Sequence, residues 1–330
     1  MQDVRRGGTT QLSILWATTR PERPHLPSGQ RLSALTSEPG RAGTEDLEPA
    51  GQFEVEGVLT DASNLTARVL YTTADGQPTG RRGLYKPIRG EAPLRDFPEG
   101  TLGRREVAAF LVSEAGGWGL IPRTIMSEGP LGPGSVQRWI DWEPTGRGPG
   151  DGLLEIFPAG AVPSGWLAVV HGEGAEGQPV AVAHQDAPDL ASLAVLDVVL
   201  NNADRKGAHL VRDAEGHLWG FDHGLTLHAE DKLRTVLWGW AGQPLPADDV
   251  ERLQTLRDSL SRAHADGAGT AAPADGHAPP TTADSAGTAI SALISPWEFQ
   301  ALSDRVDELL TEAIFPALPT ERYALPWPLW

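Results

Sequence analysis

The chain has no cysteine, which excludes disulfides and thiolate metal sites and leaves the redox compartment open. It also lacks any apolar run long enough to cross a bilayer. Near the N-terminus it has Arg5 and Arg6 but no long apolar stretch after them, so no secretory signal is expected. Positive charge is scarce. The formal net charge is −17, which argues against a general nucleic-acid binder and against binding to an anionic membrane surface. The class expected is a soluble cytoplasmic protein. Lysine is scarcest among the basic residues: only Lys86, Lys206 and Lys232 occur among 27 lysines and arginines. The richness in Ala, Gly, Pro and Arg suggests a high-GC genome that favours arginine codons. A lysine that persists there points to a need for a compact ammonium, which the planar guanidinium fork does not replace.

What is present is 330 residues with 40% apolar content, enough for one large domain or two lobes with a real core. Residues 1–50 show no sustained periodicity and read as a flexible leader. From Phe53 the pattern changes. Residues 53–59 and 65–71 alternate as strands, joined by the polar turn formers Thr60-Asp61-Ala62-Ser63-Asn64. Residues 83–88 read as a third strand carrying Lys86. A helix is expected over 102–115, with Val107, Phe110 and Leu111 on one face and Gly116-Gly117 as its stop. Two short strands, 123–126 and 135–140, flank a Gly/Pro turn at 128–134. The first half thus reads as five strands and one helix, up to about residue 143.

After Asp141 the chain reads as helical and loop-rich. Helices are expected over 187–200 and 246–263, the latter with Val250, Leu253, Leu256 and Leu260 on one stripe. Residues 264–288 are low-complexity and read as a disordered insertion. Ser295-Pro296-Trp297-Glu298 is a capping box with proline at the first helical position. The helix it opens carries Phe299, Leu302, Val306, Leu309 and Ile314.

Two acidic motifs eighteen residues apart carry the chemistry: Asn201-Asn202-Ala203-Asp204-Arg205-Lys206 and Phe221-Asp222-His223-Gly224. Between them, 209–212 and 217–220 read as the strands of one hairpin, with an aspartate at each open end. Phosphoryl transfer needs such a pair, one carboxylate to orient a nucleophile and one to hold a metal against phosphates. Asp222 follows an apolar strand, where a carboxylate needs a partner such as a metal ion. Arg205 adjoins Asp204 and is a candidate to fix its orientation. Upstream, Lys86 on a strand can reach nucleotide phosphates, and Glu106, twenty residues later on the helix, is the carboxylate expected to hold it. Backbone N–H groups near Ser63 and Asn64, with the Ser63 hydroxyl, are candidates to lie over phosphates. His209 stands five residues after Asp204, where a magnesium phosphotransferase is expected to keep an amide oxygen; imidazole is a softer, less usual magnesium ligand.

These motifs, taken in order, resemble the phosphatidylinositol 3-/4-kinase-like branch of the protein-kinase superfold, and more closely an actinobacterial group of proteins with that likeness. The resemblance covers roughly residues 51–316. Asn202-Ala203-Asp204-Arg205 resembles the Asp-Arg loop of lipid kinases and of toxin-type kinases. Phe221-Asp222-His223-Gly224 resembles their metal-binding segment. Tyr85-Lys86-Pro87 resembles the strand lysine, and Glu106 its helix partner. Residues 136–140 fall at the interlobe hinge, so Gln137 and Trp139 are expected to cradle adenine through backbone hydrogen bonds.

The resemblance implies an α+β, two-lobed kinase-like fold: a small antiparallel-sheet lobe with one helix over 51–143, and a mainly helical lobe over 144–330. It implies ATP and Mg2+ as cofactors, with Mn2+ as the alternative metal. Lys86 would bind the phosphates and Glu106 orient it. Asp204 would take the acceptor's proton, Lys206 would supply charge near the γ-phosphate, and Asp222 with His209 would hold the metal. The glycine-rich loop of the superfold is absent, so Asp61–Asn64 only stand in its position. The acceptor is a hydroxyl of a protein, a small polyol or an inositol lipid. The acidic chain shows no basic cluster for a phosphoinositide, so the first two are favoured. Two other classes stay open. One is a nucleotide-binding pseudokinase scaffold. The other is a metal-dependent hydrolase using Asp204, His209 and Asp222, with no use for Lys86.

Overall fold

Alternating apolar and polar residues favour strands that can turn one face to a core. In a computed structural model, which describes residues 52–59, 64–142, 148–266 and 283–330, five of them form one sheet. They are β1 (Gln52–Leu59), β2 (Thr66–Thr72), β3 (Pro78–Pro87), β4 (Thr124–Gly129) and β5 (Gly132–Arg138). Their order is β1-β2-β3-β5-β4, antiparallel throughout. Phe53, Ala67, Val69, Tyr71, Tyr85, Ile125 and Val136 make a small core on one face. The expected five strands and one helix are all present in this half. The leader at 1–50 lies outside the described residues.

Gly132-Pro133-Gly134 is where the sequence reading needs correcting. It was expected to belong to a turn, but it opens β5, and Gly134 pairs opposite Pro87. A Cβ on Gly134 would stand 2.4 Å from the Lys86 carbonyl oxygen and 2.7 Å from the Pro87 Cα. The missing side chain is therefore what lets β5 approach the strand that carries the lysine.

Helix α1 (Leu102–Gly116) ends on Gly117, whose φ of 80° suits only a residue without a Cβ penalty. The expected stripe of Val107, Phe110 and Leu111 is buried, but so is nearly every other residue of the helix. The reason is that α1 packs on two sides. One side meets β4 and β5; the other joins the large core shared with the helices that follow. Polar bonds fix it there. Arg105 is buried and donates to the Thr226 carbonyl at 2.8 Å and to Glu298 at 2.5 Å. Just past the helix, the Trp118 indole donates to Asp249 at 2.9 Å.

The second half contains helices α2 (Pro188–Leu200), α3 (Ala247–Ala265), α4 (Ala283–Ser291) and α5 (Pro296–Glu312). The capping box at Ser295 forms, with the Ser295 N–H donating to Glu298 at 2.9 Å. Ile314, expected on the stripe of α5, lies beyond its end and is exposed. Of the segment read as low-complexity, residues 264 and 265 belong to α3 and 283–288 to α4, while 267–282 lie outside the described residues.

A three-stranded antiparallel sheet was not expected here. Strands β6 (Leu154–Pro158), β7 (Trp166–Glu173) and β8 (Pro179–Gln185) run in the order β6-β8-β7. The glycines and prolines that separate them, at 158–165 and 172–179, dominate the local composition and hide short strands. The hairpin forms as read, from β9 (Leu210–Arg212) and β10 (Leu218–Gly220). The architecture is α+β, with an antiparallel-sheet lobe first and a mainly helical part after it.

His184 on β8 is fully buried, with its ring 4.4 Å from that of Trp240. Its Nε2 accepts the Gly239 N–H at 2.9 Å, so the proton sits on Nδ1, 2.9 Å from the Gln185 carbonyl oxygen. Burial pushes its pKa below the ordinary 6.5. The unfolded chain takes up a proton near pH 6.5 and the folded chain does not, so the stabilisation is present above that pH and is lost as pH falls below it. Thermal melts from pH 7.5 to 5 are expected to show wild type losing up to about 1.4 kcal/mol per pH unit more than a His184→Gln variant.

Candidate active site

The loop at 201–209 is positioned by one buried ion pair. Helix α2 is apolar on all sides, so its Asp197 is carried into the interior. There it meets Arg205 at 2.9 Å, and both side chains are wholly inaccessible to solvent. Asp197 also accepts from the Asn202 amide at 2.9 Å and from the Thr235 hydroxyl at 3.1 Å. Buried Asn202 in turn accepts the Asp204 N–H at 3.0 Å. Asn201 caps α2 in the left-handed region, at φ 51°, a conformation asparagine tolerates. Its amide holds the carbonyls of His228 and Glu230 at 2.9 and 2.6 Å.

On the far side of the hairpin, Arg205 donates to the Phe221 carbonyl at 2.8 Å and lies 2.6 Å from His223 Nε2. A guanidinium only donates, so Nε2 accepts and the His223 proton sits on Nδ1. Burial and the Arg205 charge push the His223 pKa well below the ordinary value. Between these anchors Asp222 adopts φ 57°, which turns its carboxylate out of the β10 line.

That carboxylate meets the sheet. Lys86 Nζ lies 2.5 Å from Glu106 and 2.7 Å from Asp222. The second Glu106 oxygen accepts the His223 N–H at 2.9 Å. One ammonium therefore serves two carboxylates. Burial alone would lower the Lys86 pKa, but Asp222 and Glu106 together hold it well above the ordinary lysine value. The Lys86 charge holds Asp222 far below the usual carboxylate range. Burial raises Glu106, against the pull of Lys86. His209 Nε2 stands 3.5 Å from the other Asp222 oxygen, and burial pushes His209 down to about 4, so the ring is neutral at neutral pH. On the other flank, Lys206 Nζ pairs with Asp204 at 2.9 Å. Burial raises Asp204 and the Lys206 hydrogen bond works against that rise.

Lys86, Glu106, Asp222 and His209 are thus one contacting cluster, and Asp204 with Lys206 forms the pair beside it. Four other residues named from the sequence stand elsewhere. Arg205 does not orient Asp204 through its side chain, which is spent on Asp197, Phe221 and His223. Gln137 lies inside the sheet between Leu84 and Thr124, and its buried amide donates to the Thr124 hydroxyl at 2.9 Å. The Trp139 N–H, expected to be available to adenine, donates to the Arg82 carbonyl at 3.0 Å. Asn64 accepts the Ala92 N–H at 2.7 Å, tying the β1–β2 connection to the segment after β3. Ser63 lies outside the described residues.

Asp197, Asn202 and His223 were missed. Asp197 had a legible signal, since a lone charge in Leu193-Ala194-Val195-Leu196-Asp197-Val198-Val199-Leu200 has no polar face to occupy. Also missed was the C-terminal segment. The Gly207 N–H donates to the Leu329 carbonyl at 2.8 Å, and a Cβ at Gly207 would meet the Trp330 indole at 3.0 Å and Leu154 at 2.8 Å.

For a divalent cation the donor at hand is the Asp222 carboxylate. His209 Nδ1 accepts the Lys206 N–H at 3.4 Å, so the neutral ring carries its proton on Nε2, facing Asp222 at 3.5 Å. It would ligate through Nε2 only in its other tautomer. Among the described residues, no group of three His, Cys, Asp or Glu side chains is arranged to hold a metal. This donor set fits a cation that arrives with a polyphosphate and keeps phosphate and water oxygens for its remaining positions. Oxygen donors suit magnesium and manganese alike, and an imidazole beside them is the less usual ligand for magnesium.

Protein Rv2133c of Mycobacterium tuberculosis is 38% identical to the chain over 288 residues, 84% of this chain and 92% of that protein. The chain belongs to the family of Protein Rv2133c. No family model matches it. Among solved structures, two of the Golgi casein kinase, one with Mn/ADP bound, are 12% identical to this Rv2133c-family chain. They have TM-scores of 0.40 and 0.41, cover 79% of this chain, and are themselves covered to 72% and 73%.

Removing one member of a buried ion pair strands the other charge. Asp197→Ala is expected to destabilise the chain by about 3–5 kcal/mol in denaturant unfolding. An Asp197→Leu, Arg205→Met double variant should recover part of that loss. Equal stability of the single variant and wild type would contradict the role given to the pair.

Proposed function

We propose that the chain is an ATP- and divalent-metal-dependent phosphotransferase, moving the γ-phosphoryl group to a hydroxyl acceptor. One observation carries the reading: a sheet lysine joined at 2.5 Å to a helix glutamate and at 2.7 Å to a hairpin aspartate from the other half of the chain. A purely structural ion pair has no need of a second carboxylate that is half open to solvent.

In this reading Lys86 neutralises the α- and β-phosphates and Glu106 keeps its ammonium in place. Asp222, with His209 in the tautomer that frees Nε2, would hold the cation, which would supply charge screening for the phosphates. Asp204 takes the proton from the acceptor hydroxyl. The acceptor oxygen forms a bond to the γ-phosphorus as the bond to the β–γ bridging oxygen breaks, and ADP leaves. Lys206, paired with Asp204 at 2.9 Å, would supply positive charge beside the transferring group. We assign magnesium as the metal, with manganese as the alternative, and a place in the phosphatidylinositol 3-/4-kinase-like branch with cytoplasmic location. No described helix is long and apolar enough to cross a membrane. The net charge of −17 favours a protein or polyol hydroxyl over an inositol lipid.

One observation favours a pseudokinase scaffold instead: histidine at the second metal position. ADP release from ATP with magnesium or manganese decides between the two. The Lys86→Met and Asp204→Ala variants are each expected to lower turnover at least about a hundredfold. ATP binding with no turnover in wild type would favour the scaffold. Phosphoester cleavage without ATP that survives Lys86→Met would favour a metal-dependent hydrolase.

A further inference from the structure

Every other cation bonded around the 201–209 loop is already committed to a partner. Lys86 is held by Glu106 and Asp222, Arg205 by Asp197, and Lys206 by Asp204. Lys232 pairs with Asp96 at 3.1 Å and Glu230 at 3.5 Å, and Arg322 with Asp231 at 2.6 Å. Arg234 differs. It is half-buried, yet among the described residues its guanidinium forms no hydrogen bond or ion pair.

Its backbone is fixed beside Asp204. The Arg234 N–H donates to the Asn202 carbonyl at 2.8 Å, and its own carbonyl accepts the Arg205 N–H at 3.0 Å. These two bonds bracket Asp204 in the chain. A parallel bridge from Arg205 to Thr235 continues the pairing. The loop therefore has two flanks. Residues 221–223, with Lys86 and His209, line the flank where phosphates would sit. Residues 233–236 line the opposite one. The Arg205 side chain serves the first flank and its main chain serves the second.

The Arg234 charge acts on Asp204, lowering its pKa against the rise that burial causes, yet among the described residues no hydrogen bond or ion pair occupies the guanidinium fork. Rigid placement of such a group beside a carboxylate that receives a proton suits a ligand that brings its own negative charge. The planar fork of arginine matches phosphate and carboxylate in two-point contact. We infer that Arg234 forms an anion subsite on the acceptor side of Asp204, and that the acceptor carries a phosphate or carboxylate within a few bonds of the hydroxyl that is phosphorylated. This rests on the phosphotransferase reading and deepens it. It also reconciles an acidic chain with an acidic acceptor, because the positive charge sits at one local point.

The test uses the full chain with ATP and magnesium, and reads ADP release with paired acceptors. Glycerol 3-phosphate is compared with glycerol, and a serine peptide flanked by aspartates with the same peptide flanked by alanines. In at least one pair the charged acceptor is expected to be preferred about tenfold or more in kcat/KM, and the pair that responds tells a small molecule from an acidic peptide. Arg234→Gln should bring that charged-to-neutral ratio close to one, and Arg234→Lys should restore part of it. Binding of inorganic phosphate with ADP and magnesium present, followed by calorimetry, should weaken about tenfold in Arg234→Gln. Should that variant fail to fold, Arg234→Lys alone should give an intermediate ratio. A charged-acceptor preference that survives Arg234→Gln overturns the inference, as does phosphate binding equal in the variant and wild type. A chain that turns over no ATP with any acceptor overturns the phosphotransferase reading instead, and the phosphate titration still decides the anion subsite.

Discussion

The site depends on a charge pair that never touches it. Asp197 and Arg205 are buried together, and five groups from three parts of the chain are ordered around them: the Asn202 amide, the Thr235 hydroxyl, the Phe221 carbonyl, the His223 ring and the main chain at 234–236. Burying two charges is costly unless the remaining donors and acceptors are satisfied. Here each guanidinium nitrogen has a protein acceptor, so the pair is compatible with a dry interior. The geometry it fixes is that of its neighbours. Asp204 and Asp222 sit on chain segments that are each bonded to the same arginine, and the charge of Asp222 is felt at Asp204.

Around that anchor the charges divide unevenly. Two carboxylates share the Lys86 ammonium, and the more exposed of them, Asp222, is the more strongly acidic. Glu106 is buried and depends on Lys86 and on the His223 N–H for its company. Asp204 sits in a separate pairing with Lys206. Two acid groups eighteen residues apart in sequence thus shift in opposite directions: the Lys86 charge dominates at Asp222, whereas burial outweighs Lys206 at Asp204.

Much of this was legible in the sequence. Alternation gave the strands of the first sheet, although β1 alternates and buries only Phe53. The 3.6-residue period gave α2, α3 and α5. The order of Lys86, Glu106, Asp204, His209 and Asp222 was enough to group them as one candidate site, and Lys86, Glu106, Asp222 and His209 stand in contact. What escaped had physical reasons. Strands β6 to β8 are short and separated by glycine and proline, which outweigh their alternation. Gln137 and Trp139 were assigned by position, and position does not reveal that neighbouring strands have already taken their hydrogen bonds. Arg205 was read as a partner of the residue next to it, whereas adjacent side chains on an extended segment point apart. Arg234 left no trace in any motif, since its importance lies in having no partner.

Helix α1 carries Glu106, yet Arg105, one residue earlier, is bonded to Glu298 at the head of α5, and Trp118 just past its end is bonded to Asp249 on α3. The glutamate therefore belongs mechanically to the floor of the molecule, while the lysine it grips belongs to the roof. The Lys86–Glu106 bond thus ties the strand that carries the lysine to a helix anchored in the large core, and one ammonium joins the two halves of the chain.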